Sequence, residues 1–157
     1  MRVLALEAST SSAKAMLFDP ATGLGAVESA EYPENVCDTL TIDAAAAMDC
    51  VYGCGRRLLQ KYGADGVAAV GLSSIWHSLL LLDKNRRPLG RVLTWADTSP
   101  APTVAKYKND RELCRRLYAA TGCAQHSIYN MWKWIHLREN GGTAGARYLS
   151  SLGEYLY

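Results

Sequence analysis

Three features of this 157-residue sequence predict an α/β fold in which three antiparallel strands lead into a helix–strand crossover. Residues 3–6 and 13–18 are apolar runs separated by a short stretch of small hydroxyl residues, which reads as a hairpin turn. The turn Asp19-Pro20-Ala21-Thr22-Gly23 and the run over residues 24–32 then supply a third antiparallel strand. Beyond them, an alanine-rich segment ending near Tyr62-Gly63 precedes a compact apolar run over residues 67–72. Strand, helix and strand in that order make a crossover onto one sheet.

Each element has its own signal. Residues 33–41 are polar and irregular, and Asp43 or Thr41 is placed to cap the helix that Gly63 ends. Gly53 and Gly55 weaken the middle of that helix by roughly 1 kcal/mol each relative to alanine, which points to a close approach to the sheet. Residues 67–72 are continuously apolar and bounded by glycines, the pattern of a buried central strand. Residues 79–82 and 92–95, joined by a polar turn over residues 83–88, read as a second hairpin. Asp97-Thr98-Ser99-Pro100 is a helix-start signal, and Thr103 to Tyr107 opens that helix. Leu113, Leu117 and Ala120 give residues 110–120 a helical face, stopped by Gly122. Residues 130–139 form another helix before Gly141-Gly142, and residues 146–157 carry no stop signal.

The length suits one domain, burying roughly 70% of its unfolded surface. Hydrophobic residues at 49% and charged residues at 20% are those of a soluble globular protein. A net charge of +2, with basic residues scattered, marks neither a nucleic-acid nor an anionic-membrane ligand. No run reaches transmembrane length, and an acid at position 7 comes too early for a signal peptide, so a cytoplasmic protein is expected. The five cysteines are odd in number and widely spaced, as incidental thiols are in a reducing compartment. Cys50 and Cys54 stand at helical spacing, but no second pair completes a zinc site.

Two places carry chemistry. Around the first turn lie Glu7, Ser9, Thr10, Ser11, Ser12 and Lys14. A carboxylate can hold a divalent cation, while hydroxyls, turn amides and a lysine suit phosphate oxygens. On these residues alone an ordinary Ser/Thr-rich hairpin fits as well. The second place is Ser73-Ser74-Ile75-Trp76-His77-Ser78, at the carboxyl end of the strand over residues 67–72, where ligands of open α/β sheets gather. An imidazole exchanges hydrogen bonds with a hydroxyl and an indole covers an apolar face, though on these residues alone a Trp–His pair after a buried strand is more often core.

These motifs occur in a definite order: the hairpin from Glu7 to Lys14, Gly-Leu-Ser-Ser-Ile-Trp-His-Ser at 71–78, Leu-Asp at 82–83 and Pro-Leu at 88–89. Thr-Trp-Ala-Asp at 94–97, Thr-Gly-Cys at 121–123, Lys133 within Trp-Lys-Trp-Ile-His-Leu-Arg, and Leu-Gly-Glu-Tyr-Leu at 152–156 complete the series. In that order they resemble the FGGY carbohydrate kinases of the actin-like ATPase superfamily, over nearly the whole chain. The resemblance implies that residues 1–157 are the N-terminal portion of a first ribonuclease H-like domain, incomplete at its C-terminus, with the second domain absent. It implies ATP and Mg2+ as cofactors and a sugar or sugar acid as the small-molecule partner, with no nucleic acid, no membrane and a possible homodimer. Glu7 takes the metal position, and Thr10, Ser11, Ser12 and Lys14 the nucleotide-phosphate side. Trp76, His77, Trp95 and Asp97 take the sugar side, and Tyr129 is a further candidate there. No catalytic residue falls within the chain, the family's aspartate base lying beyond Tyr157.

Three residues depart from the family pattern: Glu7 for an aspartate, Ser9 for a glycine and Ser99 for an arginine. The extra methylene of Glu7 displaces its carboxylate by about 1.5 Å. Ser9 requires a turn backbone that a side chain tolerates. The segment His-Ser, Leu-Leu-Leu-Leu-Asp and Thr-Trp-Ala-Asp is most similar to gluconate kinases, with xylulose kinases as the alternative. A non-catalytic sugar- or partner-binding module and a general actin-like ATPase remain open.

Overall fold

Alternation of side chains along β1 (Arg2–Ala8) buries Leu4, Leu6 and Ala8 on one face and turns Ala5 and Glu7 to the other. The computed structural model describes the backbone of residues 1–157 and every side chain except that of Leu24. β2 (Ser12–Asp19) runs antiparallel to β1 with Ala8 opposite Ala13 and Glu7 opposite Lys14, and β3 (Leu24–Glu31) runs antiparallel to β2. Ala13, Ala15 and Leu17 join the buried side. Gly23, at φ 68°, closes the turn between β2 and β3 in a conformation that suits glycine.

A two-residue strand, β4 (Thr41–Ile42), precedes α1 (Ala44–Tyr62). Asp43 caps α1 by accepting a hydrogen bond from the Ala46 amide at 2.9 Å, and Gly63 ends it. Ala44, Ala47, Met48, Val51, Cys54 and Leu58 form the helical stripe that α1 lays against the sheet. The close approach expected at the two glycines holds at Gly55, where an added Cβ would stand 3.2 Å from Leu6 Cδ2. At Gly53 the sole neighbour is the Arg57 guanidinium, 3.4 Å away.

β5 (Val67–Ser74) returns parallel to β1, completing a mixed sheet in the order β3-β2-β1-β5. The expectation of a buried central strand is corrected here. β5 stands at the end of the row, and Val70 and Leu72 are exposed. A continuous apolar run is the signature of cover on both faces, whereas the described residues cover chiefly its end, where Gly153 meets Ser74.

The second hairpin is also corrected. The two segments do pair antiparallel at Leu79 and Leu93, which exchange backbone hydrogen bonds at 2.9 and 2.8 Å, but the pairing does not extend into a ladder between β6 (Leu80–Leu82) and β7 (Val92–Leu93). β7 pairs instead with β4, and β6 with β8 (Tyr148–Ser150), a strand within the segment for which the sequence shows no stop signal. Strands of two or three residues are too short for a period to announce their partners.

Between them lie α2 (Ala101–Lys108), α3 (Arg111–Thr121) and α4 (Asn130–Glu139). α2 begins directly after Pro100, two residues earlier than Thr103. Asp110 caps α3, Gly122 at φ 69° ends it, and none of its residues is buried, the face of Leu113 and Leu117 being only half-covered. α5 (Leu152–Leu156) closes the chain with a capping box between Ser151 and Glu154.

Candidate active site at the carboxyl end of the sheet

The parallel register of β1 and β5 sets Glu7 opposite Ser73 and Ala8 opposite Ser74. The first hairpin turn and the loop after β5 therefore leave the sheet at the same end. In the turn, the Ser9 amide donates to the Ser12 carbonyl at 2.9 Å. The Ser9 hydroxyl donates to that carbonyl at 2.9 Å and lies 2.9 Å from Ser12 Oγ. Among the described residues the non-glycine positive φ angles belong to His77 and Arg86, so Ser9 sits in the ordinary backbone its substitution for glycine requires. Thr10 is half-buried and Ser11 exposed, while the Ser11 carbonyl accepts from the Tyr32 amide at 2.8 Å.

Glu7 and Lys14, expected on metal and on phosphate, bond each other: Oε2 lies 3.1 Å from Nζ. They stand in a groove of about 420 Å³ on the sheet face opposite α1, with Ala5, Met16, Val27, Gly71 and Ser73 along its walls. Trp76 and His77 are not among the residues lining this groove.

The loop after β5 is pinned from two sides through the wholly buried Ser78. Its carbonyl accepts from Asn130 Nδ2 at 2.8 Å, and its hydroxyl accepts from the Leu152 amide at 3.0 Å. Neither anchor was foreseen, although the Ser151–Glu154 capping box that starts α5 is a readable sequence signal. His77 has φ 52°, a left-handed backbone unusual for a residue with a side chain. Its imidazole meets the Tyr129 ring edge-on at 5.0 Å and the Trp76 ring at 6.2 Å. Trp76 is 80% exposed, so it is no part of the core.

Trp95 is likewise exposed, and Asp97 is buried two residues further on. The Asp97 carboxylate accepts from the Ser99 amide and the Ser99 hydroxyl, each at 3.0 Å. The serine that departs from the family pattern thus stabilises this acid locally.

Lys133 lies wholly buried on α4, its ammonium donating to the Ile128 carbonyl at 2.8 Å and to the Ser127 carbonyl at 3.4 Å. Burial pushes its pKa below the ordinary lysine value, and the Asp97 carboxylate acts against that shift. Of the two tryptophans on α4, Trp132 is core. His136 Nδ1 lies 2.9 Å from Thr103 Oγ1, and His126 Nδ1 accepts from the Ile128 amide, so both serve structure.

Comparison with known proteins assigns the fold. The chain is 24% identical over 159 residues to the gluconokinase of Bacillus subtilis, covering 99% of this chain and 31% of that protein. The crystal structure of gluconate kinase from Lactobacillus acidophilus superposes with a TM-score of 0.84 at 27% identity, over 99% of this chain and 32% of the other. The ligand-bound xylulose kinase from the same organism gives 0.85 at 26%, with the same coverage. The chain therefore spans about a third of the length of these relatives. The model of the FGGY family of carbohydrate kinases, N-terminal domain, matches residues 2–156, and the chain belongs to that family.

Proposed function

We propose that residues 1–157 are the front part of the first, ribonuclease H-like domain of a cytoplasmic, ATP-dependent kinase. It would transfer a phosphoryl group to a hydroxyl of a sugar or sugar acid. One observation carries this reading: Ala8 and Ser74 are register partners, so the hydroxyl-rich turn and the Trp76–His77 loop open at one sheet end. Gluconate is the favoured substrate on the Thr94-Trp95-Ala96-Asp97 and His77-Ser78 motifs, with xylulose second.

ATP would supply the phosphoryl group, and a magnesium ion held by Glu7 would supply charge neutralisation at the phosphates. The residues present fit such an ion. Magnesium keeps waters and takes one or two protein carboxylates beside substrate phosphates, and Glu7 supplies one part-exposed carboxylate beside Lys14 and Ser73 in the groove. Among the described residues no three or more His, Cys, Asp or Glu side chains converge to hold a metal by themselves.

Lys14 and the hydroxyls of Thr10, Ser11 and Ser12 would bind phosphate oxygens, Lys14 exchanging Glu7 for them. His77 would hydrogen-bond a sugar hydroxyl, and Trp76 and Trp95, both exposed, would cover the C–H face of the sugar. Asp97, fixed by Ser99, would orient the loop carrying Trp95. The base that takes the hydroxyl proton, and the rest of the nucleotide site, would come from a second domain. Phosphoryl transfer depends on positioning, so the two halves are required together.

Calorimetric titration of the chain with gluconate, xylulose and ATP tests the reading. Weak gluconate binding without turnover supports a kinase domain lacking its base. Tight binding of a different ligand class, with no response to sugars, would make it a binding module.

A further inference from the structure

Lys133 is the one lysine driven wholly into the interior, and the site as described makes no use of it. Burying an ammonium is costly when an apolar residue of similar volume would fill the same space. Its position shows what the charge does. From the first turn of α4 the side chain reaches back toward the helix start, where it donates to the Ser127 and Ile128 carbonyls. The next residue is Tyr129, whose ring stands edge-on to His77 at 5.0 Å. Asn130, directly after it, is tied to the Ser78 carbonyl, the residue after His77. Two short segments, 127–130 and 77–78, are thus locked face to face, with the lysine holding one and the asparagine joining them.

His77 is the residue that needs this support. Its left-handed backbone, at φ 52°, is strained for a residue with a side chain and persists only where its surroundings determine it. We propose that Lys133 is a positioning residue for the sugar side of the site: by holding the Ser127 and Ile128 carbonyls it sets Tyr129 against His77 and so fixes the direction of the imidazole. The functional meaning rests on His77 meeting sugar; the geometric claim does not.

Carbon–proton correlation spectra of the histidine Cε1 groups test the geometry without substrate. The His77 signal, assigned by its loss in His77→Gln, carries a ring-current displacement from Tyr129 that Tyr129→Leu removes. Lys133→Met is expected to remove that displacement while the far-UV circular dichroism stays that of the wild type. A folded Lys133→Met with an unmoved His77 signal overturns the proposal. Should Lys133→Met not fold, Lys133→Gln replaces it. Its amide is one bond shorter and reaches at most one of the two carbonyls, so at least about half of the displacement should go. An unchanged signal there also overturns the proposal. Gluconate titrated into the same samples should bind Lys133→Met and Tyr129→Leu about five- to tenfold more weakly than the wild type. If gluconate moves no His77 signal in any sample while Lys133→Met still loses the displacement, the positioning role stands and the sugar reading fails.

Discussion

Glu7 and Lys14 face each other across the first hairpin as register partners, carboxylate oxygen to ammonium at 3.1 Å. Both side chains keep more than a third of their surface in water, so the pair adds at most about 1 kcal/mol to stability and less in high salt. Glu7→Gln and Lys14→Met should therefore melt within a few degrees of the wild type. Lys14→Met should weaken ATP binding about tenfold, because a charge-assisted contact to phosphate is lost. Thermal melts at low and high salt, with calorimetric ATP titrations, check both statements.

The two glycines of α1 should respond in opposite directions. At Gly53 an alanine meets only the flexible Arg57 guanidinium, so Gly53→Ala should stabilise by about 1 kcal/mol through helix propensity. At Gly55 the new methyl would press on the buried Leu6 at 3.2 Å, offsetting that gain. Urea denaturation should rank Gly53→Ala above the wild type and Gly55→Ala below Gly53→Ala.

α2 and α4 are braced by Glu139, whose Oε1 accepts from the Tyr107 hydroxyl at 2.8 Å and from the Lys106 ammonium at 3.0 Å. The tyrosine hydroxyl first, and then the lysine, hold the Glu139 carboxyl below the usual carboxylate range. A carboxyl with a depressed folded-state pKa contributes stability above its unfolded value and loses it as pH falls through the folded one. Glu139→Gln should thus be less stable than the wild type at neutral pH, with the gap closing below about pH 4. Denaturant titrations across that range measure the gap.

Val70 and Leu72 are exposed on β5, the end strand of the sheet. A free strand edge with apolar side chains is a template for pairing with another chain. The 157-residue chain is expected to self-associate, with sedimentation coefficients that rise with concentration. Val70→Lys should reduce this. A concentration-independent monomer with a high melting temperature would contradict the expectation.

Much of the fold was legible because its signals are local. The hairpin over residues 4–19, the Asp43 and Gly63 ends of α1, and the solvated α3 follow from turn chemistry, capping and period. What was not legible depends on distant partners. The apolar run of β5 asks for cover that residues 1–157 only partly supply, and the very short β6 and β7 find theirs in β8 and β4. At the site, the residue types of Glu7, Lys14, Trp76 and His77 were readable, whereas the common sheet end of their two loops emerges only from the β1–β5 register. The Glu7–Lys14 bond was not, because it depends on the exact register of the hairpin, and neither were the left-handed backbone of His77 and the burial of Lys133, which are set by packing between segments far apart in sequence.

The turn over residues 9–12 and the loop over residues 75–77 are expected to act as two sides of one site. Backbone amide shifts of the 157-residue chain, followed through separate additions of magnesium–ATP and gluconate, put this to the test. ATP should move the amides of residues 9–12, and gluconate those of residues 75–77 and 95–97. Gluconate shifts clustered instead at the opposite sheet end, around Gly23 and Gly66, would contradict the account.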